Sequence, residues 1–328
     1  MRWRRLPTML VLVLTLTAAV PLDDDAAVYR AIRAYDQRVT DVGERLASRA
    51  GDLCSRTVLR TGIAVHDRSN YPKGDQGVVT QAFGLDARPQ VLAVAKGSAA
   101  EAADLRPGDA IVAIDGAPPA AAIAEFATPQ RSEAVLAALN SAAAAGRVTL
   151  RIARDGADHD IAITPRTGCA TRFYQRSGTG ADGSVVTIDS DMIALADSDD
   201  ELAALVAHEL AHNILRHQER LGESGASMGL LASFGRSGRL IRQTEREADR
   251  LSVYLVERAG YDLNAIEPMW RKLAKLAPVL RAPTHGGMDQ RIAAMRAERA
   301  RIAGMRARGE SPRPDFYMQG VTGLPTLK

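Results

Sequence analysis

Two histidines four residues apart, with a glutamate directly after the first, stand in the run His208-Glu209-Leu210-Ala211-His212. On a helix, positions i and i+4 share a face one turn apart, so both imidazoles can reach one ion, while Glu209 is rotated by about 100° towards a water at that ion. This is the donor set of metal-assisted hydrolysis. Imidazole and carboxylate ligands with one open position suit zinc, which lowers the pKa of water towards about 7. Glu209 is the candidate general base, taking the water's proton and passing it to a leaving amine.

A catalytic zinc needs a third protein ligand. The run Glu245-Arg246-Glu247-Ala248-Asp249 supplies carboxylates on a second helical stretch, where Glu245 and Asp249 share a face that Glu247 does not. Glu245 is the expected ligand, with Glu247 or another carboxylate as the alternative. Asp249 is expected to accept a hydrogen bond from a ligand histidine, and small Ala248 lets the two helices approach closely. His217, five residues beyond His212, falls on another face of a continuous helix and is expected to be solvated.

The elements that must position these groups follow from capping and periodicity. Ser198 and Glu201 form a capping box that opens a helix carrying Leu202, Leu205, Val206, Leu210 and Ile214 inwards and running to about Gly222. A second helix spans about Ile241 to Arg258. An N-terminal helix over 25–50 places Val28, Ile32, Tyr35, Val39, Val42 and Leu46 on one face, and Gly51 stops it.

From Gly77 to Arg166 the texture changes to short strands and tight turns. Strands are expected at Val91–Val94 and through Ile111, Val112 and Ile114. Ser98 and Glu101 form another capping box, and a helix follows over Ser132–Ala144. A hairpin carrying Val148, Leu150 and Ile152 then turns at Asp155-Gly156. The Gly- and Ser-rich stretch from Leu221 to Leu240, with its apolar centre Met228–Phe234, reads as a mobile loop beside the site, with contact at a membrane surface as the weaker alternative. A last helix over 291–308 leads into a Pro-containing tail.

A length of 328 residues suggests roughly two domains of about 150 residues each, and 46% apolar with 25% charged residues is an ordinary globular balance. The net charge of +3 is matched by Arg2, Arg4 and Arg5 at the extreme N-terminus, which removes the electrostatic case for nucleic acid. Those arginines, the apolar run Met9–Val20, and small Thr17 and Ala19 read as an export signal cleaved near Pro21; an uncleaved membrane anchor is the alternative. Cys54 and Cys169 are then expected to pair in an oxidising compartment, a bridge worth on the order of 4 to 5 kcal/mol, with two buried thiols as the alternative.

The run from Gly97 to Gly116, Gly-Ser-Ala-Ala-Glu through Ala-Ile-Asp-Gly, resembles the PDZ domains of bacterial periplasmic proteases. That resemblance implies a peptide added as a strand beside a groove helix, its carboxylate received by main-chain N–H groups near Phe83, Gly84 and Leu85. The run His208 to Asn213 (His-Glu-Leu-Ala-His-Asn), with Glu245 to Arg250, Ala259 to Asp262, Pro283-Thr284-His285 and Arg291-Ile292, resembles the HtpX-like and CAAX-prenyl-protease-like zinc metallopeptidases of peptidase family M48.

Together the resemblances imply an α+β chain: a mainly helical zincin-type domain with a small sheet, plus an inserted β-rich PDZ domain with two helices. The expected boundaries are a signal peptide at 1–20, an N-terminal helix and connector at 21–76, the PDZ domain at 77–166, the peptidase domain at 167–310, and a tail at 311–328. The family pattern implies one zinc per chain on His208, His212 and Glu245, with His285 and Arg291 near the metal in catalytic roles. It also implies that extended substrate pairs along Val185, Val186, Thr187 and Ile188.

The expected activity is zinc-dependent endoproteolysis of misfolded cell-envelope proteins in the periplasm of a Gram-negative bacterium, with the PDZ domain recruiting or restraining substrate. The alternative is a latent zinc-binding, chaperone-like or PDZ peptide-binding protein without turnover. Polypeptides are the expected partners, and oligomeric state is left open.

Overall fold

The computed structural model describes residues 22–119, 131–226, 235–276 and 287–315. The expected signal peptide, the apolar stretch Met228–Phe234, His285 and most of the C-terminal tail lie outside the described residues. Among the described residues, no helix is long and apolar enough to cross a membrane.

Helix α1 (Leu22–Arg49) opens the described chain. Its second half carries the expected face inwards: Val39, Val42 and Leu46 are fully buried, whereas Val28 stays 56% exposed. A Cβ added at Gly43 would stand 2.3 Å from the Phe173 ring, so α1 lies flush on that aromatic only because the side chain is missing. Strand β1 (Thr57–Arg60) pairs antiparallel with a later strand, β7 (Arg166–Cys169), placing Thr57 opposite Cys169. Cys54 and Cys169 are joined by a disulfide across a sequence separation of 115, as expected. The chain therefore leaves for, and returns from, an inserted unit through a two-stranded neck that a covalent bond closes.

The inserted unit is a five-stranded sheet with strands in the order β2-β3-β4-β5-β6. These are β2 (Ile63–His66), β3 (Gln90–Val94), β4 (Ala110–Ile114), β5 (Val148–Arg154) and β6 (Ala157–Ile163), each antiparallel to its neighbour. Helices α2 (Gln76–Phe83), α3 (Ala99–Ala102) and α4 (Arg131–Ala143) accompany it. Val91, Ile111, Leu139, Leu150 and Ile152 fill its core. Ser98 caps α3 by accepting the Glu101 N–H, as the capping box requires. The sheet starts with β2, upstream of the boundary expected at Gly77. Four residues are too short a run to show a period.

The rest of the chain builds a three-stranded sheet and a helical body. Strands β8 (Arg172–Gln175), β9 (Gly180–Ala181) and β10 (Val185–Ile188) lie in the order β8-β10-β9. Helices α5 (Ser190–Leu195), α6 (Asp199–Ile214), α7 (His217–Glu223), α8 (Gly235–Arg258), α9 (Ile266–Leu276) and α10 (Met288–Ala307) follow. Helix α6 is the centre of this body, with Leu202, Val206 and Leu210 fully buried. Ser198 Oγ accepts the Glu201 N–H at 3.2 Å, and Glu201 returns the bond to the Asp197 N–H at 2.8 Å, satisfying two donors at the helix start.

Two helix boundaries differ from expectation. Helix α6 stops at Ile214 instead of running to Gly222, because Arg216 adopts a left-handed conformation (φ 53°) and α7 begins at a new angle. Helix α8 starts at Gly235, so the end of the Gly- and Ser-rich stretch is helical.

Candidate metal centre

The expected donors converge where α6 crosses α8. His212 Nε2 lies 3.2 Å from His208 Nε2 and 3.5 Å from Glu245 Oε1, and His208 Nε2 lies 3.6 Å from Glu245 Oε2. A tetrahedral ion with bonds of about 2.0 to 2.1 Å to nitrogen separates its ligand atoms by roughly 3.3 Å, so the spacing already present fits zinc. Ala248, fully buried, lets α8 approach α6 this closely.

The charges fit a cation as well. Burial opposes a charge on His208, yet Asp249 and Glu245 outweigh it and raise the ring to about 10. His212, enclosed beside His208, is pushed well below the ordinary histidine range by burial and by that neighbour. The buried carboxylates thus favour positive charge at this point, as a cation site requires.

Behind the donors stands a buried ion pair. Arg291 donates from Nε and Nη2 to the two oxygens of Asp249, each at 2.7 Å, and its Nη2 lies 3.3 Å from Glu245 Oε2. Asp249 is wholly buried and its Oδ1 stands 3.2 Å from His208 Nδ1, a close but oblique contact. The Arg291 guanidinium also lies over Trp270, 4.9 Å from the ring centroid, and Trp270 meets His208 edge-on. Arg291, expected in a catalytic role near the metal, is buried, with its fork paired to Asp249 and its Nη2 beside Glu245. Glu209 follows His208 on α6, half-buried, and its charge is felt by Arg291.

His217 corrects the expectation of a solvated side chain. It is 2% exposed, with Nδ1 3.0 Å from His212 Nδ1 and Nε2 3.2 Å from Glu247 Oε2. A continuous helix would have turned His217 away; the left-handed Arg216 brings it back. No Gly or Pro marks that break, so the sequence carries no signal for it. Asn213 is a further group that spacing alone did not assign. Its side chain accepts the Gly183 N–H at 2.6 Å and donates to Val185 O at 3.1 Å, tying the β9–β10 turn to α6.

Two segments expected to receive polypeptide are partly engaged within the fold. Val185–Ile188 forms the middle strand of its sheet, parallel to β8 on one side and antiparallel to β9 on the other. Its edge towards β8 is paired along its whole length and its edge towards β9 at Val186 and Thr187, which leaves little of the strand for an added peptide. Phe83 ends α2, and Gly84 caps that helix at φ 68° with its N–H given to Thr80 O, so the Gly84 N–H is already engaged within the chain. The outer strand β2 borders a cavity of about 230 Å³, lined by Ile63 and Ala64 of β2 and Leu136 and Asn140 of α4, with Thr40 of α1 and Phe173 of β8.

The family model for PDZ domains matches residues 90–154, and that for peptidase family M48 matches residues 176–238. The chain carries a peptidase family M48 domain joined to a PDZ domain. The M48 match takes in His208, Glu209 and His212 but ends before Glu245, so Glu245 enters the centre by geometry. Mitochondrial metalloendopeptidase OMA1 of Schizosaccharomyces pombe is 28% identical over 109 residues, covering 28% of this chain and 32% of that protein. The beta-barrel assembly-enhancing protease of Yersinia pestis is 29% identical over 143 residues, covering 34% of this chain and 29% of that protein. The chain thus spans about a third or less of the length of these relatives.

Proposed function

We propose that this chain is a zinc-dependent endopeptidase. The observation that carries the reading is the convergence of His208, His212 and Glu245 ligand atoms within 4.8 Å of one another, on two helices that also present Glu209. His208 Nε2, His212 Nε2 and a Glu245 oxygen would hold the ion. Bound zinc would supply Lewis acidity, polarising a peptide carbonyl and acidifying water. Glu209 takes a proton at its carboxylate and returns it to the departing amine nitrogen. Asp249 and Arg291 keep His208 and Glu245 in place while this happens.

Substrate enters as an extended polypeptide. With β10 enclosed and β8 turned towards the PDZ domain, where Tyr174 packs on that domain's core, the outer edge of β9 is the place for a strand to add. The groove between β2 and α4 would hold another segment of the same polypeptide. The likeness to the beta-barrel assembly-enhancing protease of Yersinia pestis, the disulfide and the N-terminal signal pattern support action on proteins of the cell envelope.

Purified protein should cleave casein or an unfolded outer-membrane protein. A chelator should abolish turnover and zinc should restore it. Glu209→Gln should lower turnover by roughly 10² to 10⁴ while leaving one zinc per chain. Full turnover in Glu209→Gln would end the assignment of Glu209 as base, and bound zinc without turnover in the unaltered protein would point to a latent binding role.

A further inference from the structure

The two histidines of the centre are braced differently. Behind His208 stands a carboxylate, Asp249, itself held by Arg291. Behind His212 stands another imidazole. His212 Nδ1 and His217 Nδ1 are 3.0 Å apart with the rings nearly perpendicular at 79°, and His217 Nε2 reaches Glu247 Oε2 at 3.2 Å. Glu247 is fixed in turn, accepting from Arg220 at 2.8 Å and from Gln243 at 2.9 Å. His217 is buried, and Glu247 lies on the face of α8 turned away from Glu245 and Asp249.

Tautomer logic sets the direction of this chain. A ligand imidazole offers an unprotonated Nε2, so the proton of neutral His212 sits on Nδ1 and points at His217 Nδ1. That atom must then accept, which places the His217 proton on Nε2, where it donates to the Glu247 carboxylate. The order fails if Glu247 lacks its charge or if His217 is replaced by a group that cannot accept.

We infer that His217 and Glu247 are a positioning pair that locks His212 in the tautomer and ring orientation required to ligate through Nε2. This rests on the metal-centre reading above. The left-handed Arg216 is then a device of the fold: by breaking the helix it turns a residue that would face solvent into the outer partner of a ligand. Outer partners of this kind change metal affinity by about 10- to 100-fold when removed.

The test uses the full chain, stripped of metal, with zinc affinity measured by competition against a chromogenic chelator and folding followed by circular dichroism. His217→Phe should bind zinc about 10- to 100-fold more weakly than the parent. His217→Asn, whose side-chain oxygen stands near the place of Nδ1 and can accept from His212, should recover most of that loss. Glu247→Gln should fall between the two.

Lower thermal stability with parental zinc affinity in all three variants would overturn the proposal and leave His217 a packing residue. If His217→Phe does not fold, the Asn and Gln variants decide the question by the same readout. A parent protein that takes up no zinc defeats the metal-centre reading itself. A parent that binds one zinc per chain, with variants that bind it equally well, defeats only the positioning role.

Discussion

The metal centre and the PDZ domain are held together by different forces. Around the centre the buried groups are charged or polar: Asp249, Arg291, His208, His217, Glu245 and Arg220 are each less than a tenth exposed. The PDZ core is a set of aliphatic side chains, among them Val91, Ile111, Leu139, Leu150 and Ile152, with buried Asp109 paired to half-buried Arg154 at its margin. Charge pairing is directional and costly to break, so it selects one geometry. Aliphatic packing depends chiefly on volume, so it stabilises a unit while tolerating adjustment. A site whose ligand atoms must lie within a few tenths of an ångström needs the first; the PDZ domain rests on the second.

The comparison breaks most visibly at Arg291. Arg291→Met keeps the bulk of the side chain but leaves the Asp249 carboxylate wholly buried without a cation, which should cost about 3 to 5 kcal/mol. Urea unfolding of the metal-free protein measures it, and zinc affinity should fall with it. An unchanged midpoint would mean that the buried pair is no more specific than packing. In the PDZ domain, Leu150→Ala removes a fully buried side chain and should cost roughly 3 kcal/mol through lost transfer energy and a residual cavity. Hydrogen exchange should show this loss confined to β2–β6 and their helices, with zinc affinity as in the parent. A parallel loss of zinc affinity would show that the two domains unfold as one block despite the narrow neck.

The same contrast explains what the sequence revealed. His208, Glu209, His212, Glu245 and Asp249 are related within single helices, where spacing is geometry, and their mutual faces were legible before any coordinates. Two helix caps and the Cys54–Cys169 bridge were legible for similar reasons of local chemistry or simple pairing. What was hidden depends on distant segments. The enclosure of Val185–Ile188 is decided by β8 and β9, the role of β2 by its pairing with β3, and the commitment of Arg291 by a carboxylate 42 residues earlier. His217 is the exception, a local misreading, because an arginine in the left-handed region gives no warning in the sequence.

Two buried histidines sharpen the contrast at the scale of a single proton. In the PDZ domain, burial pushes His66 down to about 4, outweighing its contact with Gln90, so it is neutral at pH 7. In the centre, the carboxylates overcome burial and raise His208 to about 10. A raised folded value means that protonated His208 stabilises the metal-free fold fully below its ordinary value of 6.5, and that this contribution is lost as pH rises through about 10. Zinc needs the unprotonated nitrogen, and His212 is already neutral, so binding between those limits should displace about one proton, not two. Apparent zinc affinity should therefore rise about tenfold per pH unit from roughly 7 to 9 and level off near 10. Titration calorimetry in buffers of differing ionisation enthalpy counts the proton directly. Release of two would show both imidazoles protonated in the free site, and release of none would mean that the carboxylates do not hold His208 charged, reducing the centre to the neutral condition of His66.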